Sequence, residues 1–214
     1  MIRPSDLGAK ERLLAAAKQI FALRGFKDGT VREICGLARA NVALVKYHFG
    51  GKEQLYSAVL DSYMREVTEL YPLDEGVGPD SPPQDRLRAF IRAFFKRFLS
   101  HGDPVFSGLS KLLTQEIFSP SQAFEPILEQ HIKPCHERLV GIVRELLPDA
   151  TEDLAARCAH SIEGQCVLYD FAKETMLRMS PELEVKRGNM EHVVEYMTEF
   201  SLGGIERAKT ARAA

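Results

Sequence analysis

Residues 46 to 52 read Lys-Tyr-His-Phe-Gly-Gly-Lys. Two ammonium groups, a phenol and an imidazole stand close together there. Such donors bind phosphate oxygens and base edges of a nucleic acid. The Gly-Gly-Lys-Glu run also invites a reading as a nucleotide phosphate loop. The spacing does not fit, because the first Gly of that pattern would fall at Lys46 and Glu53 follows Lys52 where Ser or Thr is needed.

Other chemistry finds less support. His131 and Cys135 are one helical turn apart and could share a face with His136 nearby, as metal ligands do. Pro134 disturbs that geometry, and no further acid or thiol is paired with them, so no metal site is expected. No nucleophile elbow, His-Glu metal helix or Gly-rich dinucleotide loop occurs. No enzyme and no cofactor are therefore expected. Cys35, Cys135, Cys158 and Cys166 form no Cys-x-x-Cys pair and read as small buried apolar residues.

Charge is distributed unevenly. Residues 1–60 carry ten Lys or Arg against five Asp or Glu, whereas the other 154 residues carry eighteen against twenty-five. A basic front on an acidic body suits a polyanionic partner. Hydrophobic content of 45% with 27% charged residues is that of a globular chain rather than a disordered one. No run approaches the ~18 apolar residues of a membrane span. The opening "MIRPSDLGAKERLL" lacks an apolar core followed by a cleavage site. The expected compartment is the cytoplasm, the bacterial cytosol or nucleoid.

The elements that must position these groups read as helices almost throughout. A first helix is predicted from about Ala9 to Leu23, with Leu13, Leu14, Ala17, Ile20 and Phe21 on one face and Gly25 as its cap. Thr30 followed by Glu33 is a capping-box pattern opening a second helix to Leu37. Asn41 caps a third to about Phe49, and Lys52 opens a fourth to about Leu70. Residues 71–83 are rich in Pro, Gly and Asp and read as a loop. Amphipathic segments follow at about 84–101, 105–118, 121–147, 151–179 and 189–209, the third kinked at Pro134.

The connection of residues 38–40 is too short for antiparallel neighbours, so the second and third helices cross steeply as a helix-turn-helix. Ile34, Leu37, Ala40, Val45 and Phe49 are spaced to pack inward. Val42, Ala43, Lys46 and Tyr47 then face outward, where small residues admit the helix to a major groove. His48 either touches phosphate or packs. Gly50 and Gly51 allow a sharp turn. The helix starts at Thr30 and Lys52 offer free N–H groups to phosphate.

The residues "RLLAAAKQIFALRGFKDGTVREICGLARANVALVKYHFGGKEQLYSAVL" resemble the DNA-binding domain of the TetR family of bacterial transcriptional regulators. The stretches "ARANVALVKYHFGGKEQLY" and "FEPILEQHIKPCHERL" are similar to its CecR-like branch. The resemblance implies C-terminal helices that dimerise and enclose a small-molecule pocket, with ligand binding releasing the protein from its operator. One departure concerns Arg39-Ala40-Asn41, where the family often has Gly-Val-Ser. Asn41 can still cap, and Arg39 adds a charge near the DNA backbone.

The expectation is thus an all-α protein. Its head, residues 1–52, is a three-helix bundle with a helix-turn-helix, and residues 53–83 are a connecting helix and loop. Residues 84–214 are a larger helical domain for effector binding and dimerisation. The apolar pocket is expected from Phe94, Phe98, Leu113, Ile117, Phe124 and Leu128, with Gln115, Glu116, His131, Gln165 and Tyr169 as polar groups. Glu116 or Glu163 would tilt selection toward cationic compounds. The stripes Ala155, Cys158, Ala159, Ile162, Cys166 and Val193, Val194, Met197, Phe200, Gly204, Ile205 exceed what one chain should need, and are assigned to a homodimer interface. The expected partners are double-stranded DNA, a small hydrophobic effector and a second copy, with no membrane. The alternative is a helical adaptor that binds proteins only.

Overall fold

The structure is a computed structural model that describes residues 8–99, 104–186 and 188–210, apart from the side chains of residues 98, 99, 104–106, 170, 209 and 210. Every regular element among the described residues is helical. The described residues of Met1–Glu66 and Ser100–His131 form one compact unit, and those of Val67–Leu99 and Ile132–Ala214 form a second.

In the first unit, α1 (Ala9–Asp28) buries Leu13, Ala16, Ala17 and Phe21. Their spacing of three and four residues makes one apolar stripe. Its regular winding breaks at Gly25, whose φ of 74° and ψ of 179° suit glycine alone. The chain then enters α2 (Val31–Ala38) through a complete capping box. The Thr30 hydroxyl accepts from Glu33 N at 3.2 Å, and the Glu33 carboxylate accepts from Thr30 N at 3.1 Å.

The end of α2 is a Schellman motif: Arg39 N donates to Gly36 O at 3.3 Å and Ala40 N to Cys35 O at 3.0 Å. Arg39 takes the left-handed position, with φ and ψ both 50°. The Asn41 side chain then accepts from Ala43 N at 2.9 Å and starts α3 (Val42–Phe49). Gly50, at φ 94°, turns the chain into α4 (Lys52–Leu70).

The inward set differs from expectation at one place. Helix α2 buries Ile34, Cys35 and Ala38, whereas Leu37 is half exposed. The head closes on Phe21, Phe26 and Tyr56, with Tyr56 ring centroids 5.2 Å and 4.8 Å from the two phenyl rings. Helix α6 (Pro104–Phe118) packs on α1. Gly108 makes the approach possible, because a Cβ there would stand 2.6 Å from the Ala22 carbonyl oxygen. A short 3-10 turn at Gln122–Phe124 and the single turn α7 (Glu125–Ile127) follow.

A π-helical turn at Leu128–Ile132 leads into α8 (Lys133–Leu146). Pro134 lies in the first turn of α8 and has no N–H to donate. The irregularity expected at the proline is therefore a π turn just before it.

The second unit is built around α5 (Pro83–Leu99), whose Leu87, Phe90, Ile91 and Phe95 are buried. Helices α8, α9 (Glu152–Phe171) and α11 (Met190–Thr210) pack against it. Each fully buried Leu, Ile or Phe of this set contributes roughly 1.5–3 kcal/mol of transfer free energy. Arg92 pairs with Glu191 at 2.9 Å and Arg88 with Glu195 at 2.8 Å, fixing α5 alongside α11. The segment expected to be one helix over 151–179 divides at Ala172 into α9 and α10 (Lys173–Met179).

Candidate DNA-binding surface and effector region

The first unit brings the candidate DNA-contacting residues to one stretch of surface. On α3, only Val45 is fully buried. Asn41, Val42, Ala43, Lys46 and Tyr47 are exposed, Tyr47 at 82%. His48 is half-buried, its ring edge-on to Tyr47 with centroids 4.9 Å apart. Val42 and Ala43 open the helix, so little side-chain bulk separates its first turn from a groove floor.

Two further helix starts flank α3. The Thr30 hydroxyl is occupied with Glu33, donating to its carboxylate at 2.8 Å. The free donors of that end are therefore backbone N–H groups. Exposed Arg32 stands beside them, a cation that the sequence reading counted but did not single out. At the start of α4, Lys52 is held in place. Its ammonium donates to Lys27 O at 3.2 Å and lies 4.7 Å from the Phe26 ring centroid. Arg39 is exposed between α2 and α3. Glu33 is the nearby acid, and Arg24 pairs with it at 2.8 Å. The Thr30 hydrogen bonds, with help from Arg24, hold its carboxyl below the usual value of 4.5.

The residues expected to line a pocket fall in both units. In the first, Leu113 and Phe124 are buried, Leu128 is half-buried, and Gln115 and Ile117 are exposed. Glu116 is buried and accepts from Ser121 N at 2.7 Å. It also bonds the buried Tyr56 hydroxyl, whose pKa rises through burial and the Glu116 charge. His131 Nε2 lies 2.8 Å from Asp61 Oδ1.

In the second unit, Phe94 stacks on Phe90 with centroids 5.9 Å apart, and Tyr169 meets Phe95 edge-on at 5.3 Å. Gln165 donates to Ser161 O at 3.2 Å. Phe98 lies outside the described side chains. Glu163 stands between His136 and His160. Both acids that suggested a cationic ligand therefore have protein partners, and that lean loses its basis.

The family model described as "Bacterial regulatory proteins, tetR family" matches residues 13–59. The model described as "HTH-type transcriptional dual regulator CecR, C-terminal domain" matches residues 83–205. The chain belongs to the TetR family, in its CecR-like branch. It is 31% identical over 179 residues to the HTH-type transcriptional dual regulator CecR of Shigella flexneri, covering 79% of this chain and 78% of that protein. It is 22% identical over 209 residues to the HTH-type transcriptional repressor NicS of Pseudomonas putida, covering 92% of each. Among solved structures, AibR in complex with isovaleryl coenzyme A and operator DNA has a TM-score of 0.61 at 17% identity, covering 92% of this chain and 97% of that one. This TetR-family protein is a transcriptional regulator that binds DNA through its helix-turn-helix. The adaptor reading is not favoured.

The stripes assigned to a dimer need correction in one respect. Ala155, Ala159, Ile162, Cys166, Val194, Met197 and Ile205 are all buried within the single chain, because α5 wedges against both α9 and α11. A single chain thus uses them for its own core. What faces outward is narrower: Phe200 and Tyr196, each 58% exposed, with Gly204, while Cys158 and Val193 are half-buried. Cys158, Gln165, Phe200 and Gly204 lie along an open hollow of about 280 Å³ on α9 and α11. Gln165, expected in the effector pocket, lines this outer face.

Proposed function

We propose that this regulator acts as a homodimer on a palindromic operator and leaves it when a small hydrophobic molecule binds the C-terminal region. The observation that carries the DNA half is the outward face of α3, where Val42, Ala43, Lys46 and Tyr47 stand clear of the core between the capped start of α2 and the start of α4. Thr30, Arg39, Asn41, His48 and Lys52 complete the contact set, chiefly through phosphate. Two heads related by a two-fold axis would read half-sites ~34–36 Å apart. The exposed strip of Phe200, Tyr196 and Gly204 supports pairing of second copies.

Functionally the chain divides into the head, residues 1–52, a connecting helix and loop, residues 53–83, and the effector and dimer region, residues 84–214. Within the first unit, the effector would be taken by the apolar set of Leu113, Phe124 and Leu128. AibR, similar in fold, is solved with an acyl coenzyme A and operator DNA together. That pairing supports trying acyl thioesters first. The role is regulatory rather than catalytic, exercised on DNA in the bacterial cytosol. No described helix is long and apolar enough to cross a membrane.

The test is fluorescence anisotropy with duplexes from the gene's own promoter, over a salt series and then with acyl coenzymes A of increasing chain length. Binding should weaken steeply with salt, and one hydrophobic compound should raise the melting temperature while lowering operator affinity. A protein that binds no promoter duplex even at low salt would overturn the reading.

A further inference from the structure

The geometry points to a binding site for a zinc-class divalent cation formed by His136, His160 and Glu163 in the second unit. On α9, His160 and Glu163 are three residues apart and project from neighbouring positions of one face. Helical bundles present an imidazole and a carboxylate to one metal with this spacing. His136 comes from α8, which packs against α9.

The Glu163 carboxylate lies 3.1 Å from His136 Nδ1 and 3.2 Å from His160 Nδ1. One donor atom from each of the three residues lies within 4.8 Å of the others. A tetrahedral ion with bonds of ~2.0–2.1 Å sets its ligands roughly 3.3 Å apart. The two measured separations are already close to those of a formed coordination shell.

The arrangement is otherwise an awkward one. The two imidazoles stack with centroids 4.3 Å apart and planes 19° from parallel. Both turn a ring nitrogen to the same carboxylate. A single divalent ion between them would satisfy both nitrogens and the carboxylate at once.

The donor set also selects the ion. Two imidazole nitrogens with one carboxylate suit zinc and its neighbours, whereas calcium and magnesium take oxygen shells. Three protein ligands leave a fourth position for water. His160 is 71% exposed, which leaves the site open to solvent. An ion held there would pin α8 to α9.

The test uses the full chain, stripped with a chelator and titrated with Zn²⁺ against a chromophoric competitor, with melting temperature followed in parallel. One ion per chain should bind and raise the melting temperature, while Mg²⁺ and Ca²⁺ should do neither. His160→Gln changes an exposed side chain and should leave the fold intact. It should weaken Zn²⁺ binding by more than about tenfold and remove the thermal shift. Glu163→Gln should do the same. Co²⁺ substitution should give the visible absorption of a tetrahedral ion in the wild type only. Wild-type protein without a zinc-dependent shift, or His160→Gln protein that binds Zn²⁺ as tightly as wild type, overturns the assignment.

Discussion

Lys52 carries its ammonium 4.7 Å from the centre of the Phe26 ring, and the same group donates to the Lys27 carbonyl. The cation at the start of α4 is therefore positioned before any DNA arrives. Lys52→Met keeps much of the aliphatic stem over the ring and removes the charge. Operator affinity should fall alike on specific and nonspecific duplexes, and the slope of log K against log salt should shrink by about 1.8, about 0.9 for each head of the dimer. The exposed cation–ring contact is worth only ~0.5–1 kcal/mol, so the unfolding midpoint should move little. An unchanged salt slope would remove Lys52 from the phosphate contacts.

Arg39 occupies a left-handed position that glycine takes without strain, at φ 50°. For a residue with a Cβ that conformation costs roughly 1–2 kcal/mol. Arg39→Gly should raise the unfolding free energy by about 1 kcal/mol. It should also weaken operator binding through loss of one cation. Stability and DNA affinity thus move in opposite directions, which chemical denaturation and anisotropy on the same protein can check. A variant less stable than wild type would mean that the guanidinium contributes more than the strain costs.

The local signals were the legible ones. Thr30 with Glu33, Asn41 and Gly50 each sit where the structure uses them, because a cap is decided within a few residues of chain. Leu37 was misjudged because α2 has two turns, and Ile34 and Leu37 are equally apolar on paper. The stripe that packs instead takes 34, 35 and 38. The α9 and α11 stripes looked spare because nothing local reveals that α5 inserts a third apolar face against both. The cluster of His136, His160 and Glu163 was hidden for the same reason. It is assembled across two helices, whereas the visible His131–Cys135 spacing presumes one regular helix through what is a π turn. His131 instead meets Asp61.

Acid should loosen the helix-turn-helix through Glu33. Its carboxyl lies below 4.5 in the folded head, chiefly through the Thr30 hydrogen bonds. A carboxyl depressed by folding contributes stability that is fully present above its unfolded value and is lost as pH falls through the lower native one. Glu33→Gln should therefore flatten the stability profile below pH ~4.5 and leave its shape at neutral pH unchanged. Urea midpoints measured from pH 3 to 7 decide it, and parallel profiles for the two proteins would exclude this linkage.

Gly108 sets how closely α6 can lie on α1. An added Cβ would stand 2.6 Å from the Ala22 carbonyl oxygen and 2.7 Å from its Cβ, with backbone rather than a flexible side chain in the way. Gly108→Ala should cost about 1–3 kcal/mol as the helices separate. Intrinsic propensity alone would make the change favourable by up to ~1 kcal/mol, so a stabilised variant would refute the close approach.

Phe200 offers a cleaner test of the dimer than any buried residue of α11. Val194 is fully buried in the single chain, and a charge there would unfold the protein before it said anything about pairing. Phe200 is 58% exposed, stacked on Tyr196 with centroids 6.2 Å apart. Neither ring is needed to close the unit's own core. Phe200→Asp should therefore leave helicity and the melting profile of the monomer largely intact. Across a two-fold axis the same substitution places two carboxylates in or near one apolar interface, where each must be desolvated. Sedimentation should show a monomer at micromolar concentration. Operator affinity should fall to that of a single head, because the second half-site is no longer engaged. A Phe200→Asp protein that stays dimeric and binds a palindromic duplex as wild type would place the interface elsewhere.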